Sequence, residues 1–356
     1  MARDLNTLGW NDFFADCFAA ANIDGAIPAR IVVQRKTNYL VTTVQGDYRA
    51  AIAGKLRFVT NNQADFPAVG DWVVLRPVRG ERTGTIVAVL PRRSTFSRRT
   101  AGREEEEQVI AANIDVVFLV SALDSTFNLR RLERYLVLGI QSGARPVIVL
   151  NKADLCSSLE EILKDVRRIA GAVPVHSTNA KKDQGTGELL RHLGPGITGT
   201  LLGPSGVGKS TIINCLVGHE MLKTQEVRDY DGKGRHTTSH RELVVLPTGG
   251  LLIDTPGMRE LQIWEGNEGF EETFDDIEQL SAQCRFRDCH HEQEPGCAVQ
   301  RALQGGTLDA DRVKHYMKLQ RELEYRARQY DTRTQAKQTN IEKKSTSTHR
   351  RGPRRH

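Results

Sequence analysis

The stretch Gly203-Pro204-Ser205-Gly206-Val207-Gly208-Lys209-Ser210, followed by Thr211, decides the fold of this 356-residue chain. It matches every fixed position of the phosphate-loop pattern G-x-x-x-x-G-K-[ST]. The flanking residues predict a buried strand over 197–202 and a helix over 210–217, as this loop requires. Its backbone N–H groups and the helix N-terminus are expected to surround phosphate oxygens. Lys209 is expected to reach the β- and γ-phosphates as a catalytic group, and the Ser210 hydroxyl to bind Mg²⁺.

A second motif, Asn151-Lys152-Ala153-Asp154, precedes the phosphate loop in the chain. It follows the apolar run 146–150, which is typical of a strand buried on both faces of a parallel sheet. Nucleotide sites in such sheets lie at the carboxyl ends of the strands. The Asp154 carboxylate can accept two hydrogen bonds that guanine offers and adenine does not. Asn151 is expected to brace the loop and the base edge, and the stem of Lys152 to pack over the base.

The third motif, Asp254-Thr255-Pro256-Gly257, follows the apolar run 251–253. We expect the Asp254 carboxylate to hold Mg²⁺ and the Gly257 N–H to contact the γ-phosphate. An ordinary GTPase places Asn-Lys-x-Asp last, whereas this chain places it first. The order therefore predicts an α/β P-loop GTPase core that is circularly permuted. Met258 stands where many GTPases have a water-orienting glutamine, so slow intrinsic hydrolysis is expected.

The polar residues 234–238 are predicted to form switch I, a loop that offers a threonine to Mg²⁺ and the γ-phosphate. Thr237 and Thr238 both fit, and the sequence does not choose between them. We hypothesise that His236 is catalytic and aligns water when a partner orders the loop; a solvated loop histidine is the alternative. Ser177 is given a role in the last guanine-contacting loop, although Thr178 replaces the alanine expected there.

A cysteine–histidine cluster follows the third motif. The residues Cys284, Cys289, His291 and Cys297 form the pattern C-x₄-C-x-H-x₅-C. Four such ligands suit one tetrahedral structural Zn²⁺, with His290 as the competing nitrogen ligand. The N-terminus has no secretory signal and the other cysteines are scattered, which favours a metal over disulfides. Because metal binding can stabilise a small segment by about 10 kcal/mol or more, chelation is expected to unfold it.

Composition limits the remaining possibilities. Charged residues make up 26% of the chain and the net charge is +6, which favours a polyanionic partner. No apolar run has membrane-spanning length, so we expect a cytoplasmic protein with no membrane partner. The last residues, 326–356, are rich in Arg and Lys, which predicts a disordered tail that binds nucleic-acid phosphates or only aids solubility. Further arginines cluster just after the first quarter of the chain, at Arg92, Arg93, Arg98, Arg99 and Arg103.

Five short β-rich runs predict a small closed barrel of the OB-fold type, with an SH3-like barrel as the alternative. They are residues 30–33, 39–44, 54–59, 71–75 and 84–89. Upstream, an amphipathic helix with an aromatic face is expected within residues 5–21, and near the end a charged helix over 308–330. The predicted domains are an N-terminal extension (1–28), the barrel and linker (29–103), the permuted GTPase domain (104–263), a zinc-binding helical domain (264–330) and a basic tail (331–356).

Together the three motifs in this order, the barrel and the C-x₄-C-x-H-x₅-C pattern resemble the RsgA (YjeQ) family over about residues 29–325. The resemblance implies an OB-fold barrel, a permuted GTPase domain that uses GTP, GDP and Mg²⁺, and a helical domain with Zn²⁺. It also implies slow GTP hydrolysis stimulated by the small ribosomal subunit, contact with its rRNA, a role in late subunit maturation and release of assembly factors, by a monomer.

Three rival functions remain open: an RNA-binding scaffold with a regulatory or vestigial nucleotide site, a P-loop ATPase or kinase, and a permuted GTPase of the large subunit or transfer RNA. Because the Asp-x-x-Gly motif leads directly into the zinc segment, γ-phosphate occupancy is hypothesised to move that segment and gate RNA binding.

Overall fold

The computed structural model describes residues 4–35, 38–59, 62–99, 107–218, 241–254, 268–325 and 328. The chain divides into two compact units, Met1–Gln262 and Ile263–His356, and each is described by itself. His236, Thr237, Thr238 and Gly257 lie outside the described residues, as does the predicted basic tail.

The N-terminal extension packs on the barrel as a cap. A short 3₁₀ helix (Leu5–Leu8) precedes helix α1 (Asp12–Ala21), whose N-terminus is capped by the side chain of Asn11. The rings of Trp10 and Phe14 lie 4.6 and 5.9 Å from the ring of Trp72 in the barrel, measured between centroids. Trp10 and Phe14 of the expected aromatic face therefore pack on the barrel, whereas Phe13 is exposed.

The barrel has five strands in a closed order. They are β1 (Ile27–Gln34), β2 (Tyr39–Thr43), β3 (Gly46–Ile52), β4 (Trp72–Pro77) and β5 (Thr83–Val89). The strands pair in the order β1-β2-β3-β5-β4, and β4 pairs back with β1. Only β3 and β5 are parallel. A short helix, α2 (Gly54–Val59), and the 3₁₀ helix Gln63–Asp65 lie between β3 and β4. The predicted OB-like barrel is confirmed.

One expected strand of the barrel is wrong. Residues 54–59 form helix α2, and the third strand is instead Gly46–Ile52, where Tyr48 and Ala50 alternate inward between exposed neighbours. Apolar residues two positions apart, such as Leu56 and Phe58, are typical of a strand, yet the Phe58 side chain is 88% exposed. Tertiary pairing overrode local pattern here, because β3 closes the barrel between β2 and β5.

A two-stranded antiparallel ribbon, β6 (Thr95–Arg99) and β7 (Glu107–Ala112), links the barrel to the next domain. Arg92, the first residue of the predicted arginine cluster, does not contribute to an open basic surface. Its guanidinium donates to both carboxylate oxygens of the buried Asp71, at 2.8 and 2.7 Å. Burial raises the pKa of Asp71 and the Arg92 guanidinium acts against that rise, so the pair is part of the barrel.

The second domain is a mainly parallel sheet with the order β10-β9-β8-β11-β13-β12. Its strands are β8 (Val116–Ala122), β9 (Arg145–Asn151), β10 (Val175–Ser177), β11 (Thr198–Leu202), β12 (Arg241–Val245) and β13 (Leu251–Asp254). Strand β12 runs antiparallel to β13 and also pairs with β1, where Val33 faces Glu242. The sheet therefore continues into the barrel.

Helices α3 (Leu129–Gln141), α4 (Leu159–Ala170) and α5 (Lys209–Val217) accompany this sheet, with 3₁₀ helices at Ala153–Leu155, Ala180–Lys182 and Thr186–His192. One core cluster joins Phe118 and Val120 of β8 to Leu201 of β11 and to Ile212 and Leu216 of α5. The helix that follows the phosphate loop is thus held against the sheet by apolar burial, which fixes where the loop lies.

The second unit is helical, with α6 (Glu268–Thr273), α7 (Asp275–Ser281), α8 (Ala298–Gln304) and α9 (residues 310–325). Phe274, Tyr316 and Leu319 form part of its buried core. The largely buried guanidinium of Arg312 donates to both carboxylate oxygens of Asp276 and to the carbonyl of Thr273. Among the helices that the structure describes, none is long and apolar enough to cross a lipid bilayer.

Candidate functional site

The sheet brings the separated motifs to one edge. Strand β9 ends at Asn151, β11 leads into the loop that begins at Gly203, and β13 ends at Asp254. These strands are parallel through β8 and β11, so their carboxyl ends point the same way. The circularly permuted GTPase fold is therefore present: the transposed order in sequence still gives one site in space.

Two glycines allow the phosphate loop to approach its neighbours closely. A Cβ atom on Gly203 would lie 2.2 Å from the carbonyl oxygen of Val120 in β8. Gly208 has φ +98°, and a Cβ there would lie 2.2 Å from the Nδ2 atom of Asn151. Carbon atoms do not approach backbone or amide atoms this closely, so any larger residue would displace the loop.

The Lys209 side chain makes hydrogen bonds within the phosphate loop. The Lys209 ammonium donates to the carbonyl oxygens of Gly203 and Pro204, at 2.7 and 2.6 Å. Ser205 and Gly206 are exposed at the tip, while the Val207 side chain is buried beneath it. A triphosphate that enters the loop would draw the ammonium away from these carbonyls, because an anionic oxygen is the stronger acceptor.

Asn151 joins the guanine motif to the phosphate loop. Its buried Nδ2 donates to the carbonyl of Val207 at 2.8 Å. Its Oδ1 accepts from the Thr178 hydroxyl at 3.1 Å and from the Ala180 N–H at 3.0 Å. One amide therefore connects the loops after β9, β10 and β11, and it supports the bracing role predicted for it.

The contacts of Asn151 revise the expectation for the last guanine-contacting loop. Ser177 is exposed at the end of β10, whereas Thr178 and Ala180 carry the hydrogen bonds to Asn151. The role of Ser177 stays a prediction. Thr178, the residue that departs from the expected alanine, uses its hydroxyl for the network.

A partner of Lys152 was not predicted. The Lys152 ammonium donates to the Asp124 carboxylate at 2.8 Å, and Lys152 has a left-handed backbone with φ +60°. The hydrogen bond from Lys152, with those from Thr126, lowers the pKa of Asp124 to about 2. Asp124 follows β8 in a loop with no recognisable motif, so only the folded chain reveals it. Asp154 lies exposed in the 3₁₀ helix Ala153–Leu155.

Oxygen donors for Mg²⁺ occur beside the phosphate loop. Ser210 is exposed on the first turn of α5, and Asp254 lies half-buried at the end of β13. Hydroxyl and carboxylate oxygens are the ligands that Mg²⁺ takes together with substrate phosphates. The two residues therefore fit the ion that the family implies, and their assignment as ligands stays a prediction.

The second unit contains a metal-binding geometry. The four predicted ligand atoms of Cys284, Cys289, His291 and Cys297 all lie within 4.8 Å of one another. The Sγ atoms of Cys284 and Cys297 are 3.8 Å apart, and each lies 3.7 or 3.5 Å from Nδ1 of His291. With Zn–S near 2.3 Å and Zn–N near 2.0 Å, a tetrahedron needs edges of about 3.8 and 3.6 Å.

The surroundings of the cluster favour His291 over His290 as the nitrogen ligand. His291 is buried with its Nε2 in a hydrogen bond to the Ser281 hydroxyl at 3.1 Å, which leaves Nδ1 facing the thiols. His290 is exposed. Burial acts to raise the pKa of the Cys284 thiol, but hydrogen bonds from the Ala298 and Val299 amides outweigh it and lower that pKa. A thiolate is the form that binds metal.

Comparisons with known proteins identify the family of this chain. The sequence profile of the RsgA GTPase family matches residues 89–264. A protein of Opitutus terrae named small ribosomal subunit biogenesis GTPase RsgA is 47% identical over 337 residues, covering 92% of each chain. Another, named small ribosomal subunit biogenesis GTPase RsgA 1, from Oceanobacillus iheyensis, is 45% identical over 307 residues, covering 85% of this chain and 88% of its own.

Solved structures show the same architecture. The crystal structure of YjeQ from Thermotoga maritima aligns with a TM-score of 0.63 and 27% identity, over 84% of this chain and 98% of that one. A structure described as YloQ, a circularly permuted GTPase, aligns with a TM-score of 0.60 and 24% identity, over 86% and 97%, which shows the fold alone. Nearly half of the residues match the relative from Opitutus terrae along nine-tenths of both chains. On this evidence the chain belongs to the RsgA GTPase family.

Proposed function

We propose that this protein is a GTPase that binds the small ribosomal subunit and acts in its late maturation. The observation that carries the nucleotide half of this proposal is the Asn151 network, which couples the guanine motif to the phosphate loop through hydrogen bonds at 2.8–3.1 Å. This amide holds the two motifs in one geometry, because losing it would leave three buried partners unpaired at a cost in stability.

Different residues of the site bind the guanine base and the phosphates. Asp154 accepts two hydrogen bonds from the guanine edge, and the stem of Lys152 covers the ring while Asp124 holds its ammonium. The backbone N–H groups of residues 203 and 205–208 and the Lys209 ammonium bind the phosphates, and Thr211 follows the Mg²⁺ ligand Ser210. Asp254 and one switch I threonine, with Thr238 assigned to this role, complete the magnesium site.

Hydrolysis transfers the γ-phosphoryl group to water: an oxygen–phosphorus bond forms and the bond to the β-phosphate oxygen breaks. Lys209 and the Gly257 N–H stabilise the charge that spreads over the γ-phosphate oxygens. Met258 cannot align the water, so turnover is slow until a partner orders switch I. We assign that alignment to His236.

The partner is the small subunit and its rRNA. The support is the printed name of the relatives, small ribosomal subunit biogenesis GTPase, together with a net charge of +6 that suits a polyanion. One structural Zn²⁺, held by Cys284, Cys289, His291 and Cys297, stabilises the helical unit. The protein acts as a monomer in the cytoplasm and releases assembly factors when its nucleotide state changes.

GTP turnover measured with purified small subunits, with large subunits and with neither tests this proposal. We expect stimulation of about 10³-fold or more by small subunits only, and its loss in Lys209→Ala. Equal turnover in all three reactions would overturn the assignment to the small subunit. Small-subunit binding that is the same for Lys209→Ala and wild type, with either nucleotide, would instead favour the RNA-binding scaffold.

A further inference from the structure

The loop between the first two metal ligands presents an exposed aromatic ring between two arginines. Arg285, Phe286 and Arg287 lie between Cys284 and Cys289, and all three side chains are exposed. The Phe286 ring is 41% exposed, and the Arg285 guanidinium lies over it, 5.4 Å from the ring centroid. We call residues 285–287 the zinc-loop tip. A single exposed apolar side chain is ordinary, so the case depends on its setting.

The tip is anchored by the residues that flank it. Both of its flanking cysteines belong to the metal cluster. The Arg285 N–H donates to the carbonyl of Gly296 at 3.3 Å, and Gly296 has φ +81°, where a Cβ would approach the Arg285 Cβ to 3.0 Å. These contacts fix the backbone at the start of the tip, which lowers the entropy that stacking on the Phe286 ring would cost.

Acidic groups near the tip are already engaged within the unit. The Glu294 carboxylate accepts from the backbone N–H groups of residues 290, 292 and 293 at 2.9–3.1 Å. The Glu292 carboxylate accepts from Arg321 at 2.7 Å. Within the tip loop itself, two arginines outnumber the single acid, Asp288. The exposed residues 285–288 therefore carry a net charge of +1, and their two guanidinium groups can pair with an anion.

An aromatic face beside guanidinium groups matches one kind of partner. Unpaired RNA bases stack on aromatic side chains and on arginine planes, and their phosphates pair with arginine. Paired bases inside a duplex offer no free face to such a ring. An acidic peptide could pair with the arginines but would not need the aromatic plane. The combination points to an unpaired nucleotide.

We propose that the zinc-loop tip binds an unpaired nucleotide of RNA, with the base stacked on Phe286 and its phosphates paired with Arg285 and Arg287. This inference rests on the proposed function, which supplies the RNA as part of the small subunit. It adds which residues of the helical unit meet the RNA and what structure the RNA must have there.

Four full-length, zinc-loaded proteins test the tip: wild type, Phe286→Leu, Phe286→Trp and the control Phe13→Leu. Phe13 is 42% exposed, which matches Phe286, but it lies on α1 in the other unit. Dissociation constants are measured for purified small subunits with a non-hydrolysable GTP analogue, and for decameric oligoadenylate and a blunt RNA duplex.

Leucine keeps the apolar bulk and removes the aromatic plane. We expect Phe286→Leu to weaken binding to small subunits and oligoadenylate by about 5-fold to 100-fold. Phe286→Trp should bind at least as tightly as wild type, with quenched fluorescence of the added indole. Duplex binding and the Phe13→Leu protein should be unchanged.

Two outcomes would overturn the inference. One is unchanged affinity of Phe286→Leu for both small subunits and oligoadenylate. The other is weaker binding to subunits alone with oligoadenylate unaffected, which would assign the tip to a ribosomal protein. If wild type itself fails to bind small subunits while oligoadenylate still distinguishes the variants, the proposed function fails and the tip remains an RNA-binding element.

Discussion

Replacing Asn151 by alanine tests whether the guanine motif and the phosphate loop act as one site. The variant removes three hydrogen bonds and leaves the Val207 carbonyl, the Thr178 hydroxyl and the Ala180 N–H without their partner. Each buried group left unpaired costs about 1–3 kcal/mol, and water entering the space recovers part of it. We expect a loss of roughly 2–4 kcal/mol in the stability of the first unit.

The expected change in the free energy of nucleotide binding is smaller than the change in stability, because it comes from the lost alignment of the loops. If realigning the loops on binding costs as much free energy as one hydrogen bond, about 1.5 kcal/mol, GDP affinity falls by about 10-fold. Equilibrium titration with a fluorescent GDP analogue measures this, alongside urea unfolding. A folded Asn151→Ala protein that binds GDP within two-fold of wild type would refute the coupling.

Asn11→Ala is the matched control for this variant. The Asn11 side chain caps helix α1 by accepting from the Phe14 N–H at 3.4 Å, far along the chain from the three nucleotide motifs. Its loss should cost about 1 kcal/mol of stability and leave GDP affinity unchanged. The control separates a general loss of stability from loss of the site.

Three further predictions follow from individual contacts. Cys297→Ser, or metal chelation, should remove most of the amide hydrogen-exchange protection of residues 268–325; retained protection would contradict a structural metal. Asp124→Asn should raise the dissociation constant for GDP about 3-fold to 10-fold by releasing Lys152. The control variant Asp165→Asn, which breaks the exposed ion pair with Arg168, should leave that constant unchanged. The Nε2 atoms of His176 and His192 lie 2.9 Å apart, and burial lowers the pKa of both imidazoles. The unfolded chain therefore takes up protons first, and the free energy of unfolding measured in urea should fall as the pH drops below about 6.5; the same pH dependence in His192→Phe would contradict a contribution from this pair.

Much of the fold could be predicted because strong local patterns agree with burial. The apolar runs before Asn151, Gly203 and Asp254 became buried parallel strands, since a strand covered on both faces must be apolar along its length. The strand predicted over residues 54–59 was wrong, because alternation over six residues does not show which segment closes a barrel.

The candidate site divides in a similar way. Its motif residues could be found from spacing, because phosphate and metal chemistry demands fixed residue types at fixed intervals. The partners of those residues could not: Asp124 and Ala180 meet Lys152 and Asn151 only through the order of the strands. The choice of His291 over His290 also needed the fold, because burial decides between neighbouring imidazoles.

Isothermal titration of the full-length protein with GDP, GTP, ADP and ATP in the presence of Mg²⁺ measures the central claim most directly. One pocket assembled from two transposed halves of the chain predicts a single site for GDP and for a non-hydrolysable GTP analogue, with adenine nucleotides at least 100-fold weaker because Asp154 loses both of its hydrogen bonds. Folded protein that gives no heat with either guanine nucleotide, or that binds ADP as tightly as GDP, would contradict the account.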